Sequence, residues 1–120
     1  MATARLASTA LDCADPSALA DFWAALVGGE VAFRSDEFCA VKTDRGWLAA
    51  MKVDDYTPPT WPDPAVPKQM HLDLKVDDLD AAQAEAVSLG ARMAAEQPAP
   101  DLWRVLLDPA GHPFCLYLDQ

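Results

Sequence analysis

Basic residues are scarce in this 120-residue chain, where 9 Lys and Arg stand against 19 Asp and Glu for a formal charge of −10. No basic cluster exceeds the isolated pair Lys42 and Arg45. A field of this sign repels phosphate, so nucleic acid and anionic membrane surfaces are not expected partners. Cysteine is also sparse. Cys13, Cys39 and Cys115 are odd in number, far apart and never in a CxxC pair, which excludes a disulfide framework and predicts reduced thiols. Eighteen consecutive apolar residues occur nowhere, and the opening Met1–Ser8 stretch lacks a basic end followed by an apolar run. A soluble cytoplasmic protein is therefore expected. GxGxxG, P-loop, GxSxG and HExxH motifs are all missing, so none of their chemistries is signalled.

What is present is an ordinary globular level of hydrophobic residues, 52%, arranged as a repeat. Ser8-Thr-Ala-Leu-Asp-Cys-Ala-Asp15 returns 63 residues later as His71-Leu-Asp-Leu-Lys-Val-Asp-Asp78, and Gly46–Asp54 is answered 65 residues on by Gly111–Asp119. Each half reads as strand, helix, then three strands. Asp15 caps the first helix with Pro16 at its first position, Leu19, Phe22, Trp23 and Leu26 form its apolar stripe, and Gly28 ends it. Asp78 caps the second, whose thinner stripe is Leu79, Ala82, Ala86 and Leu89 before Gly90.

Period-two alternation places Leu72, Leu74 and Val76 toward a helix and His71, Asp73 and Lys75 on the opposite face. Phe114, Leu116 and Leu118 alternate in the same way with Cys115, Tyr117 and Asp119. Asp108-Pro-Ala-Gly111 is a turn signal that makes a hairpin of the last two strands. The proline-rich stretch from Tyr56 to Pro67 is expected to run extended and polyproline-like. These boundaries give one domain over 1–120, with module one at 5–54, a linker at 55–69 and module two at 70–120. A half of about sixty residues buries only about 60% of its unfolded surface. The halves are thus expected to be stable together, around one shared, curved sheet.

The paired modules, the His71–Asp78 run, Asp108-Pro-Ala-Gly-His-Pro-Phe-Cys-Leu116 and the Pro-Pro-Thr-Trp-Pro linker together resemble the vicinal oxygen chelate superfamily. Within it, the likeness is to small glyoxalase-like and bleomycin-resistance-like domain proteins. The resemblance implies an α+β fold in which two βαβββ modules form an open barrel-like cup that holds the ligand, and it implies a homodimer. Metal-dependent members place ligands on the first and fourth strands of each module, which the repeat puts at Ser8, Ala50, His71 and Cys115. Only His71 matches. A divalent metal is therefore disfavoured and no cofactor is expected, since catalytic zinc or iron sites need about three protein ligands with an open position. Without the ion, glyoxalase, dioxygenase and thiol-transfer chemistries lose their main electrophile.

The ligand-binding candidates are Ser8, Asp12, His71, Asp73, Cys115, Tyr117 and Trp61. His71 suits ligand orientation, proton transfer, lone metal ligation or a plain hydrogen bond on the cup face. Asp73 would orient a cation or hold the imidazole, or else be merely solvated. Cys115 would join a soft zinc site if His112 or Asp73 turned inward, or act as a nucleophile beside Lys75 or His71; the plainer reading is a small buried residue. His112 most simply serves its turn. Trp47, Trp61 and Trp103 offer stacking surface, whereas Trp23 belongs to the core. Among prolines, Trp61 is either a lid or an interface residue. Arg104 and Tyr117 flank the cup, but the parity of the Arg104 strand is ambiguous.

The leading expectation is a small-molecule binder that sequesters a drug or metabolite without a tightly held metal. Its rival is an enzyme, a lyase, isomerase or dioxygenase of the superfamily, using His71 with an atypical metal site or metal-free acid/base catalysis. A third class, a protein partner without ligand, would fill the cup with its own Met51, Trp47 or proline segment.

Overall fold

The computed structural model describes residues 2–118, so Asp119, expected on the last strand, lies outside it. Two compact units, residues 1–56 and 57–120, divide the chain.

In the first unit β1 (Ser8–Cys13) leads through the Asp15 cap, whose carboxylate accepts from Ala18 N, into α1 (Pro16–Val27). Gly28, at φ +77°, ends the helix as the sequence predicts. β2 (Glu30–Arg34), β3 (Phe38–Thr43) and β4 (Gly46–Lys52) complete a sheet of order β1-β4-β3-β2, parallel between β1 and β4 and antiparallel elsewhere. Helix α1 buries Leu19, Ala20, Phe22 and Trp23, with the last two rings edge-to-face at 5.3 Å. Each large side chain so buried contributes about 1.5–3 kcal/mol. Arg34 on the edge strand reaches back to Ser17 and to Asp21 at 2.7 Å, tying β2 to the helix. Gly29 permits this packing, because a Cβ there would stand 2.5 Å from the Lys42 carbonyl oxygen.

The second unit repeats the plan with β5 (Leu72–Val76), α2 (Leu79–Leu89), β6 (Arg92–Met93), β7 (Trp103–Leu107) and β8 (Pro113–Leu118), in the order β5-β8-β7-β6. Asp78 caps α2 by accepting from Ala81 N at 3.0 Å. As the alanine-built stripe foreshadows, only Leu79 and Ala86 of that helix are fully buried. The two-residue β6 is extended by Gln97, whose amide accepts from Val105 N and donates to Val105 O at 3.0 and 2.8 Å.

The hydrogen bonding gives two four-stranded sheets rather than the single shared sheet expected. The proline-rich stretch is not extended either. Thr60 N donates to Val66 O at 2.7 Å, Thr60 Oγ1 accepts from Val66 N at 3.0 Å, and Asp63 accepts from Ala65 N at 2.9 Å, so the segment closes on itself as a loop. Where the prolines lack an N–H to donate, the Thr60 hydroxyl donates to the Asp63 carbonyl. This loop lies against the β7–β8 turn, where Gly111 has φ +89° and a Cβ would meet Pro58 Cβ at 2.8 Å.

Candidate functional site

Strands β5 and β8 run parallel with Asp73 opposite Cys115 and Lys75 opposite Tyr117; on the other side of β8, Val105 and Trp103 of β7 face those same two residues. Because side chains directly opposite one another share a face, Asp73, Cys115 and Val105 form one rung and Lys75, Tyr117 and Trp103 the next. The other face carries Phe114, Leu116 and Leu106, all fully buried, and Arg104, which bonds Asp80 and Gln83 of α2. That is the helix-covered side, so the rungs with the polar groups are turned away from α2.

His71, just before β5, brings its Nε2 to 3.2 Å from Asp73 Oδ1. The imidazole nitrogen, the carboxylate oxygen and the Cys115 sulfur all lie within 4.8 Å of one another. His71 and Asp73 remain 38% and 54% exposed, so their contact adds little stability. Cys115 differs. Burial pushes its thiol up to about 11, helped by the negative charge of Asp73 and by the thiol's hydrogen bond to that carboxylate, with Lys68 opposing. A thiol so protonated near neutrality is a donor and a poor nucleophile. The alternative of a nucleophilic Cys115 requires a thiol lowered by a cation, whereas here burial and Asp73 raise it and only Lys68 opposes.

The remaining candidates are distributed over both units. Ser8 and Asp12 lie exposed on β1 opposite Trp47 and Met51, on the first sheet's face turned away from α1. Trp61 sits half-buried in the proline-rich loop. Trp23 is core, as expected. His112 serves its turn: its N donates to Asp108 Oδ1 at 2.9 Å, and its carbonyl accepts from Asp108 N at 3.0 Å. Arg104 belongs to the helix face, which the unbroken β7 sequence Trp-Arg-Val-Leu-Leu left undetermined. Lys68, near Cys115, was not among the candidates, and no local pattern marks it.

One correction concerns Ala50. The pairing register opposes Ala10 to Ala49 in the first unit and Asp73 to Cys115 in the second, so the counterpart of Cys115 is Ala49. Ala50 is 3% exposed on the α1 side. A 65-residue repeat offset is one residue short for these strands, and a one-residue slip exchanges the faces.

Two βαβββ units, each a four-stranded sheet with one helix packed on it, define the vicinal oxygen chelate class of fold. The chain belongs to the glyoxalase-like domain family, whose sequence pattern matches residues 8–117. A glyoxalase-related enzyme from Fulvimarina pelagi is 21% identical, with 96% of this chain and 88% of that one covered at a TM-score of 0.71. A fosfomycin resistance protein from Mesorhizobium loti is 18% identical over 100% and 94%, with a TM-score of 0.73. The bleomycin-binding protein of Streptomyces verticillus, solved with copper(II)-bleomycin, is 20% identical over 100% of both chains, with a TM-score of 0.62. Likeness at these identities is likeness of fold. No curated protein matches the chain.

The residues do not fit the four-ligand ion that the fold family implies. Neither Ala49 nor Ala50 has a donor atom, and Ser8 supplies only a weak hydroxyl. The potential ligands that do converge, His71, Asp73 and Cys115, all belong to the second unit.

Proposed function

We propose that this chain is a cytoplasmic, homodimeric binding domain that takes up a small organic molecule bearing cationic or hydrogen-bond-donating groups, without tightly holding a metal. The supporting observation is the face of the second sheet turned away from α2. Asp73 is set there beside His71 and Cys115, with Tyr117 and Trp103 one rung along. Aromatic area supplies affinity to a flat ligand, and the carboxylate selects charge. The bleomycin-binding neighbour supports sequestration of a drug or metabolite as the role.

The test is equilibrium binding of proflavine, a planar cation, against anilinonaphthalene sulfonate, an anion of similar area, followed by tryptophan quenching. Proflavine is expected to bind more tightly and to lose about tenfold in affinity, roughly 1.4 kcal/mol, in Asp73→Asn. Preference for the anion, or a divalent metal retained through dialysis against EDTA, overturns the reading.

The 3.2 Å approach of His71 Nε2 to Asp73 favours one second reading, an enzyme in which Asp73 orients His71 for acid/base catalysis. It requires that His71→Ala abolish turnover of a substrate while the melting temperature is unchanged.

A further inference from the structure

We infer that the small molecule taken by the second sheet is amphoteric, an aromatic compound with a carboxylate as well as a cationic group, and that Lys75 receives the carboxylate. The inference rests on the organic-ligand reading above and narrows it, adding a residue that sets specificity.

The sign of the charges on this face is the starting observation. Over the whole chain 19 acids stand against 9 bases. On the strand face turned away from α2 the balance reverses. Among the described residues its charged strand positions are one acid, Asp73, and two bases, Lys75 on β5 and Arg92 on β6, the latter opposite Leu107. The other two strand arginines are engaged elsewhere, since Arg34 and Arg104 each bond a carboxylate of the helix packed on their own sheet, Asp21 and Asp80. Lys75 and Arg92 take the face that α2 does not cover.

Lys75 is the base placed to act together with Asp73. Two residues apart on one strand, they stand about 7 Å apart along the same face. The rung of Lys75 continues into Tyr117 and then Trp103, both half-buried. A flat ring seated on those two side chains has an ammonium on its own rung and a carboxylate on the next. A plain cation satisfies this pattern by half, because Lys75 repels the charge that Asp73 attracts. A carboxylate on the same ligand converts that repulsion into attraction, and a ring that excludes water strengthens both contacts. Net charge works in the same direction. An anion approaching this chain meets ten excess negative charges, whereas an amphoteric molecule of zero net charge is not repelled at a distance and finds matching charges at contact.

The experiment compares rhodamine B, whose pendant carboxylate makes it amphoteric, with its ethyl ester, a plain cation on the same xanthene ring system. Binding is read by fluorescence anisotropy at physiological salt. Rhodamine B is expected to bind about fivefold more tightly than the ester. Lys75→Gln should erase that preference by weakening rhodamine B alone, and Lys75→Arg should retain it. Lys52→Gln removes an exposed base of the first unit, makes the same change in net charge and should leave the preference intact. Asp73→Asn should weaken both dyes, with circular dichroism and melting temperature confirming that each variant is folded. Equal binding of the two dyes, or a preference that survives Lys75→Gln, overturns the inference while the cation-binding reading stands. Binding of neither dye, or indifference of both to Asp73→Asn, overturns the organic-ligand reading and this inference together.

Discussion

At Cys115 a single methylene-thiol is held protonated by its surroundings, and the consequence is measurable. Burial and Asp73 together raise the thiol from an ordinary 9.0 to about 11. At any pH below 9 the thiolate fraction is thus about a hundredfold smaller than that of an unperturbed thiol. Alkylation by iodoacetamide, followed by mass spectrometry of the Cys115 peptide, is expected to be slow at pH 8 and to climb tenfold per pH unit until about pH 11. A plateau by pH 9 would contradict the assignment. Asp73→Asn removes the charge and weakens the acceptor that favour the thiol, so the rate at pH 8 should rise. Period-two alternation already put Asp73 beside His71 in the sequence reading. The adjacency of Cys115 was legible only through the resemblance, because the register between two strands some forty residues apart is not written in either one.

Elements show the same division. Both helices, with Asp15 and Asp78 as caps and Gly28 and Gly90 at their ends, follow from local residue chemistry and were legible. The succession of strand, helix and three strands in each half followed too. Register and parity were less accessible. A repeat offset one residue short put Ala50 where Ala49 stands, and β7, apolar on both faces, could not declare which side Arg104 takes. The loop from Pro58 to Pro67 escaped because its closure depends on Thr60 and Asp63 side chains bonding backbone amides.

The β7–β8 hairpin depends on one such side chain in a similar way. Fully buried Asp108 accepts from Ala110 N and His112 N, each at 2.9 Å. Asp108→Ala strands those donors, and an unsatisfied buried donor costs about 1–3 kcal/mol. Urea unfolding is expected to show a loss of roughly 2–4 kcal/mol, with most of it recovered in Asp108→Asn, whose amide oxygen still accepts.

Over the whole molecule the dominant property is the excess of ten negative charges. A field of several kT follows from such an excess at low salt, where the Debye length is about 30 Å at 0.01 M, and it contracts to about 8 Å at 0.15 M. Contacts at Asp73 act at short range and survive that change, whereas long-range attraction does not. The two contributions therefore separate kinetically. In stopped-flow quenching, proflavine association is expected to slow about threefold or more between 0.01 and 0.15 M salt, while its dissociation rate changes little. The anionic dye should respond with the opposite sign, associating faster as salt is added. Asp73→Asn should then act mainly on dissociation, since deleting one charge of nineteen barely alters the distant field. Salt-independent association would show that the acidity of this chain does not steer the cation in.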